Sequence, residues 1–315
     1  MTVKLSIVVP VYRSERILSE LVKEVNTFLV LYGLSEHTEL LLVNDASPDG
    51  SWRAIRDLAT ANHFVRGISL RKNFGQHSAT MAGLHHARGD IVVIMDDDLQ
   101  HSPQEIGRLL EVINKGVDVC YTRYKKRQHA LWKILGSRFN DWVATILLQK
   151  PYGLYLSSFK AMRREVVREV IKYDGPYAYL DGLILDVTRS IEVIDIDHLP
   201  RREGDGNYNL KKSISLWLRM ATSFSVFPLR LATVLGFSIT VFSCVMMIVV
   251  LVQKLLHPEL PAGWASLIGT TLFVGGVQTF CVGMVGEYVG RAYLKINGKP
   301  QFVIRETTWI DQNSK

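Results

Sequence analysis

An α/β domain on a parallel sheet, joined to a C-terminal pair of transmembrane helices, is what this sequence predicts. Three observations carry the prediction. Short apolar runs rich in β-branched residues alternate with helical patterns from Leu5 to Met95, an order that gives a parallel sheet with helices on both faces. Three consecutive aspartates, Asp96, Asp97 and Asp98, follow Ile91-Val92-Val93-Ile94-Met95, so carboxylates cluster at the end of a strand, where open α/β sheets bind their ligands. Leu231 to Val252 and Trp264 to Gly286 hold no charged side chain, and each has about the 20 residues needed to cross roughly 30 Å of hydrocarbon.

The elements follow in order. Leu5 to Pro10 reads as the first strand, a helix runs from about Ser14 to Tyr32, and Glu39 to Val43 is the second strand. Ser47-Pro48 supplies cap and first-turn chemistry to the next helix, with Asp49 to Trp52 as the turn into it. Val65 to Leu70, a helix after Gln76, and Ile91 to Met95 complete the alternation. This domain is expected to span 1–205. Within it, 130–148 carries Leu131, Leu135, Phe139, Trp142, Val143 and Ile146 at helical spacing, which suits either a core-facing or a surface amphipathic helix. In 206–226, Leu216, Trp217, Met220 and Phe224 stand opposite Lys211, Lys212 and Arg219, and the adjoining span favours a helix lying on the headgroups. The two spans are expected near 229–253 and 264–286, within a segment 227–290. Two buried core helices are the alternative, but soluble helices seldom lack a polar face for so long.

Charge sets the orientation. Lys211, Lys212, Arg219 and Arg230 precede the first span, Arg291, Lys295, Lys299 and Arg305 follow the second, and the link 254–263 has little net charge. By the positive-inside bias both ends, including a tail 291–315, are expected in the cytoplasm of a cell with an inner membrane. The Met1 end runs into a strand without a charged and an apolar leader segment, so no secretory signal is expected. Cys120, Cys244 and Cys281 have neither metal-ligand spacing nor the number for a disulfide framework. The net charge of +7 is spread along the chain and thickest beside the spans. That pattern excludes a nucleic-acid patch and points to anionic lipid and phosphorylated ligands.

Four strand ends carry chemistry. Val8 to Tyr12 ends in an aromatic, which either stacks on a nucleobase or packs in the core. Asp45, after Val43-Asn44, either takes base or ribose hydrogens or caps the helix that follows. Arg71-Lys72-Asn73-Phe74-Gly75-Gln76 sets cations and a glycine before a helix, suited to diphosphate. Asp96 to Asp98 suit Mg²⁺ or Mn²⁺ beside a diphosphate, with a solvated acidic turn before Ser102-Pro103 as the alternative.

Taken together these segments resemble family 2 inverting glycosyltransferases, and within them the polyisoprenyl-phosphate group that includes dolichol-phosphate mannose synthases and bacterial undecaprenyl-phosphate sugar transferases. The resemblance covers nearly the whole chain. It rests on Val8 to Tyr12, Val43 to Asp49, Arg71 to Gln76, Gly89-Asp90, Asp96 to Gln100, Arg123, Phe227 to Arg230 and Gly286 to Arg291. Gln76-His77-Ser78-Ala79 is also similar to the aminoarabinose-transferring members. The resemblance implies a Rossmann-like nucleotide-diphospho-sugar transferase domain. Carried onto this chain, it makes Asp96, Asp98 and Gln100 the metal ligands, and Pro10, Tyr12 and Asp45 the base and ribose contacts. Glu15, Asn73, Asp96, Asp97 and Arg201 join the donor set, and Arg123 serves catalysis at the phosphates. His77 receives no role.

The chain departs from the family in three places. Members read Tyr-Asn-Glu after the first strand, whereas Arg13-Ser14-Glu15 follows Tyr12 here and shifts the nearest carboxylate one place along. Ser157-Ser158-Phe159-Lys160 stands where members carry an Asp, and Arg201 to Tyr208 lacks the serine and lysine of the family's loop. Asp181 is the replacement candidate for orienting or deprotonating the acceptor, with a helix cap as its alternative. A phosphate monoester is already anionic near neutrality, its second pKa being about 6, so the missing carboxylate is dispensable. The resemblance therefore implies metal-dependent, inverting transfer of a sugar from a nucleotide diphosphate sugar, expected to be UDP-linked, to undecaprenyl phosphate at the cytoplasmic membrane face. The product would feed cell-envelope glycan or lipid modification, and a tetrameric homo-oligomer is implied. A GDP-mannose-dependent polyprenyl-phosphate mannose synthase is the second reading, and a membrane scaffold without activity is the third.

Overall fold

The computed structural model describes residues 3–124, 151, 154–176, 178–196, 227–256 and 263–309. Strands β1 (Leu5–Val11) and β2 (Thr38–Asn44) are buried at every position, as continuous apolar strands are when both faces of a sheet are covered. Between them, α1 (Leu18–Leu31) buries Leu18, Leu21, Val22, Val25, Phe28 and Leu29, one stripe at 3.6-residue spacing. The helix begins four residues after Ser14, because the Ser14 hydroxyl binds Asp97 and the carbonyl of Tyr12. After β2 come α2 (Ser51–Ala61), β3 (Val65–Leu70), α3 (Gln76–His86), β4 (Ile91–Ile94) and α4 (Ile106–Asn114). The chain continues through β5 (Val119–Tyr124), β6 (Lys160–Arg163), α5 (Arg164–Val170), α6 (Leu180–Val187) and β7 (Ile191–Ile196).

The strands form one sheet in the order β7-β5-β6-β4-β1-β2-β3-β8. Strands β4, β1, β2 and β3 are mutually parallel, as the alternation predicts, and β7 runs parallel to β5. Strand β6 is antiparallel to both its neighbours and β8 (Ile304–Thr307) is antiparallel to β3. The sheet is therefore mixed, which corrects the expectation of a parallel one: the alternating pattern ends at β4, and nothing after it signals direction. One core packs α1, α2 and α4 against one face of the sheet, with Val25, Phe28, Ile55, Leu109 and Phe159 fully buried. Helix α3 lies close on the other face, where a Cβ at Gly83 would meet Val8 Cγ1 at 2.4 Å.

The chain divides into two compact units, 1–207 with 298–315, and 208–297. The tail thus returns to the sheet rather than standing as a separate segment. Arg71 donates its amide to Val303 O at 2.8 Å and Thr308 to Gly67 O at 3.0 Å, and the Arg66 guanidinium lies 3.9 Å over the Trp309 ring. Among the described residues the second unit holds α7 (Phe227–Leu256, 30 residues) and α8 (Trp264–Ile296, 33 residues), with Cys281 Sγ 3.9 Å from Ala232 O. Large apolar side chains such as Phe237, Phe242, Phe273 and Val282 are exposed on them. Among the described residues alone, no helix is long and apolar enough to cross a membrane. The uncharged runs 231–252 and 264–286 fall inside these two helices, but many of their side chains lie outside the described set. The amphipathic segments 130–148 and 206–226, and Arg201, also lie outside it.

Candidate active site

Parallel pairing puts the carboxyl ends of β1, β2, β3 and β4 on one edge, since Val11 aligns with Asn44, Asn44 with Ser69 and Val8 with Ile94. Loops separated by up to 85 residues meet there around a cleft of about 490 Å³. Pro10, Tyr12 and Ser14 line one side, Asp45, Asn73, Gly75 and Gln76 another, and Asp96, Asp97 and Asp98 a third. Arg13, Ala46 and Leu99 hold positive φ angles of 61°, 49° and 53°. All three stand just past these strand ends. Left-handed backbone at a non-glycine residue costs on the order of 1–3 kcal/mol and concentrates at functional sites.

Each acid of the cleft has a distinct setting. Asp45 accepts the amides of Phe74 at 2.7 Å and Gly75 at 2.8 Å, so it pins the loop ahead of α3, where Gly75 has φ 91°. Burial raises its pKa against those two bonds. Asp96 receives the Gln76 amide at 2.7 Å and the Ser158 hydroxyl at 2.5 Å, with His101 Nε2 at 3.8 Å. Burial opposes ionisation of Asp96, but the bonds from His101 and Ser158 and the charge of Lys160 hold its pKa below the usual value. Asp97 accepts from the Ser14 hydroxyl and from the Tyr12 amide at 3.2 Å. Burial pushes its pKa up to about 6, and the like charges of Asp96 and Asp98 add to that. Asp98 takes the backbone amide of Gln100 at 3.1 Å.

The antiparallel turn of β6 brings a second group to the same edge. Lys160 aligns with Ile94 on one side and Tyr121 on the other, so Ser158, just before the strand, reaches Asp96. Lys160 is 2 % exposed and its ammonium pairs with Asp181, which also accepts the Tyr121 hydroxyl at 2.9 Å. Asp181 stands in the first turn of α6, which starts after Tyr179. His77 is half-buried and meets the Tyr179 ring edge-on at 5.1 Å. Burial lowers the His77 pKa, with Asp181 and Lys160 acting on it in opposite senses, so the ring is neutral at pH 7.

The structure thus gathers Pro10, Tyr12, Asp45, Asn73, Asp96, Asp97 and Asp98 from the sequence-derived set and leaves three apart. Glu15 holds the turn before α2, accepting from Gly50 at 3.0 Å and donating its amide to Asp49 at 3.2 Å. It does not line the cleft. Arg123 is exposed and gives a forked pair to Asp195 at 2.7 and 3.2 Å. Gln100 meets Asp98 through its backbone, and its side chain is not among those lining the cleft. Sequence reading missed Ser14, His101, Ser158, Lys160 and Tyr121, and gave Gln76 no contact with Asp96. The departures at Arg13 to Glu15 and at Ser157 to Lys160 were the available signals.

A divalent cation is what the acidic edge and the family resemblance both suggest. Among the described residues no three His, Cys, Asp or Glu side chains form a metal group, and the Asp96 oxygens already carry two hydrogen bonds. Mg²⁺ and Mn²⁺ sites in phosphate-handling enzymes use one or two carboxylates completed by phosphate and water, and Asp98 with Asp96 fits that donor set.

Comparison with known proteins accords with this geometry. The family model of glycosyl transferase family 2 matches residues 6–171, and that of the GtrB C-terminal hairpin matches 227–292. An undecaprenyl-phosphate 4-deoxy-4-formamido-L-arabinose transferase of Proteus mirabilis is 31 % identical over 99 % of this chain and 96 % of its own length. A protein of the same name from Yersinia enterocolitica is 31 % identical over 98 % and 95 %. Among solved structures, glucosyl-3-phosphoglycerate synthase of Mycobacterium tuberculosis, crystallised with Mn²⁺, UDP-glucose and phosphoglyceric acid, matches with a TM-score of 0.51. It covers 70 % of this chain and 77 % of its own at 18 % identity, a likeness of fold.

Proposed function

The chain belongs to glycosyl transferase family 2 and is a glycosyltransferase, and we propose that it moves a sugar from a nucleotide diphosphate sugar, UDP-linked, to undecaprenyl phosphate. One observation carries the donor side: the cleft at the carboxyl ends of β1 to β4 closes on Asp96, Asp97 and Asp98 opposite Tyr12 and Asn73. Tyr12, 43 % exposed, offers a face to the base. The Asp45-held loop presents the Asn73 and Gly75 region to the diphosphate, and Asp97 fixes the loop that carries Tyr12. Asp96 and Asp98 would hold a divalent cation, which when bound would neutralise charge developing on the leaving diphosphate.

In the reaction an oxygen of the lipid phosphate attacks the anomeric carbon as the bond from that carbon to the nucleoside diphosphate breaks, inverting the configuration. The attacking oxygen is anionic near neutrality, so positioning takes the place of a base, consistent with the absence of a carboxylate at Ser157-Ser158. The acceptor follows from the full-length likeness to undecaprenyl-phosphate transferases.

The uncharged runs within α7 and α8 form a membrane hairpin in this reading. The return of β8 to the sheet supports an even number of crossings, because both ends of the hairpin then join the same unit. Basic flanks put that unit in the cytoplasm. Membrane vesicles containing the protein test enzyme and orientation together. Inverted vesicles given undecaprenyl phosphate and a panel of radiolabelled UDP- and GDP-sugars should form a labelled lipid, whereas sealed right-side-out vesicles should not. A GDP-mannose product would establish the mannose synthase reading, lack of product with every donor would leave a scaffold, and equal labelling in both vesicle types would overturn the orientation.

A further inference from the structure

We propose that Arg13 is a phosphate-binding residue of the cleft, its guanidinium leaving the Tyr12 ring to meet the diphosphate of the donor. This rests on the cleft being a nucleotide-sugar site and adds a residue that the family pattern does not supply. Where members read Tyr-Asn-Glu, this chain has Tyr12-Arg13-Ser14. A cation stands in the place of a neutral amide.

The charge of the cleft calls for one. Asp45, Asp96, Asp97 and Asp98 line it, and among the described lining residues Arg13 alone is cationic. A diphosphate adds further negative charge, and a metal held by Asp96 and Asp98 would offset only part of the total. Yet Arg13 is spent on none of these carboxylates. Among the described residues its guanidinium makes no hydrogen bond or ion pair, and its contact is the Tyr12 ring, whose centroid lies 5.5 Å away. Other exposed arginines behave differently: Arg123 forks onto Asp195, and Arg108 reaches Glu105 at 2.7 Å. A guanidinium over an aromatic ring keeps its N–H donors for another partner, and its planar fork matches two phosphate oxygens.

The backbone delivers this side chain to the cleft and holds its root in place. Arg13 has a φ of 61°, two residues past the end of β1. Its amide donates to the Ser47 hydroxyl at 2.8 Å, and the Ser14 amide donates to the Ser51 hydroxyl at 3.2 Å. Asp49 accepts both of those hydroxyls, at 2.5 and 2.6 Å, while the Ser14 hydroxyl binds Asp97. The turn is thus tied to the loop after β2 and to the acidic loop, leaving the exposed side chain as the part that moves. Left-handed backbone at a non-glycine residue is retained where surrounding bonds over-determine it, as at ligand clamps. A root fixed before the ligand arrives lowers the ordering cost of binding.

Calorimetry on the full-length protein in detergent with Mn²⁺ tests this, with UDP as the ligand and uridine measured by its competition with UDP; if the wild type binds GDP instead, GDP and guanosine take their place. Arg13→Gln should weaken the nucleoside diphosphate tenfold or more at low salt and leave the nucleoside within twofold. It should also flatten the dependence of diphosphate affinity on ionic strength, since one charge contact is gone. Arg13→Lys, which keeps the charge without the fork, should retain that dependence and part of the affinity. Equal losses for diphosphate and nucleoside would mean that Arg13 serves the base or the shape of the turn, and would overturn the proposal. Unchanged diphosphate affinity would overturn it too, and a raised KM for undecaprenyl phosphate in the same variant would assign Arg13 to the acceptor's phosphate. Failure of the wild type to bind either nucleotide would instead sink the donor reading beneath it.

Discussion

The two carboxylate groups at the sheet edge are built by opposite means. Asp96, Asp97 and Asp98 sit on a single loop with left-handed backbone at Leu99, only partly buried and facing a cleft. Asp181 is one acid, 7 % exposed and held by a buried ammonium and a phenol. Three neighbouring acids tolerate each other because water and hydrogen bonds reach them, and they keep oxygen atoms available to a ligand. A buried pair gives up that freedom and gains a fixed position. Breaking it leaves a charge without compensation. The first group is therefore suited to binding, the second to holding geometry.

That contrast is sharpest at Lys160. Lys160→Met should lower stability by about 3–5 kcal/mol, since Asp181 is left buried with the Tyr121 bond alone. Adding Asp181→Leu should recover much of the loss. Urea unfolding of the full-length protein in detergent measures both, and a loss below about 1 kcal/mol for the single variant would mean that Asp181 is solvated and not a fixed element.

At the other group the effect should be on rate, not on fold. Asp98→Asn should cut transfer roughly 10²–10³-fold, the loss expected when a group acting on a developing charge is removed, and leave the unfolding midpoint within error of wild type. Near-normal turnover at saturating Mg²⁺ or Mn²⁺ would move the metal elsewhere and dissolve the distinction between the two groups.

The smallest effect is expected at Arg123, whose exposed pair with Asp195 belongs to neither group. Arg123→Ala should change stability by less than about 1 kcal/mol and turnover by no more than a few-fold. A hundredfold drop in turnover would show that Arg123 leaves Asp195 to meet a phosphate, and would restore the catalytic role that the family resemblance gave it.

The sequence by itself determined the alternation of β1 to β4 with their helices, and with it the identity of the cleft. Strands that are apolar throughout must be covered on both faces, parallel strands put their carboxyl ends on one edge, and Tyr12, Asp45, Asn73 and Asp96 to Asp98 stand at those ends. Local pattern was sufficient there because each residue is a few positions from the strand that carries it. Past Asp98 the decisive facts are non-local. Whether β6 runs with or against β4 is invisible in four residues, yet that direction decides that Ser158 reaches Asp96 and Lys160 reaches Asp181. The same holds for the Gly50 amide that Glu15 accepts and for the carboxylate of Asp195 that Arg123 meets, neither of which is near its partner in sequence. It holds too for β8, which nothing in the tail's composition ties to β3. Residue type fixes what a side chain can bond, but only the chain's return from far away fixes what it meets.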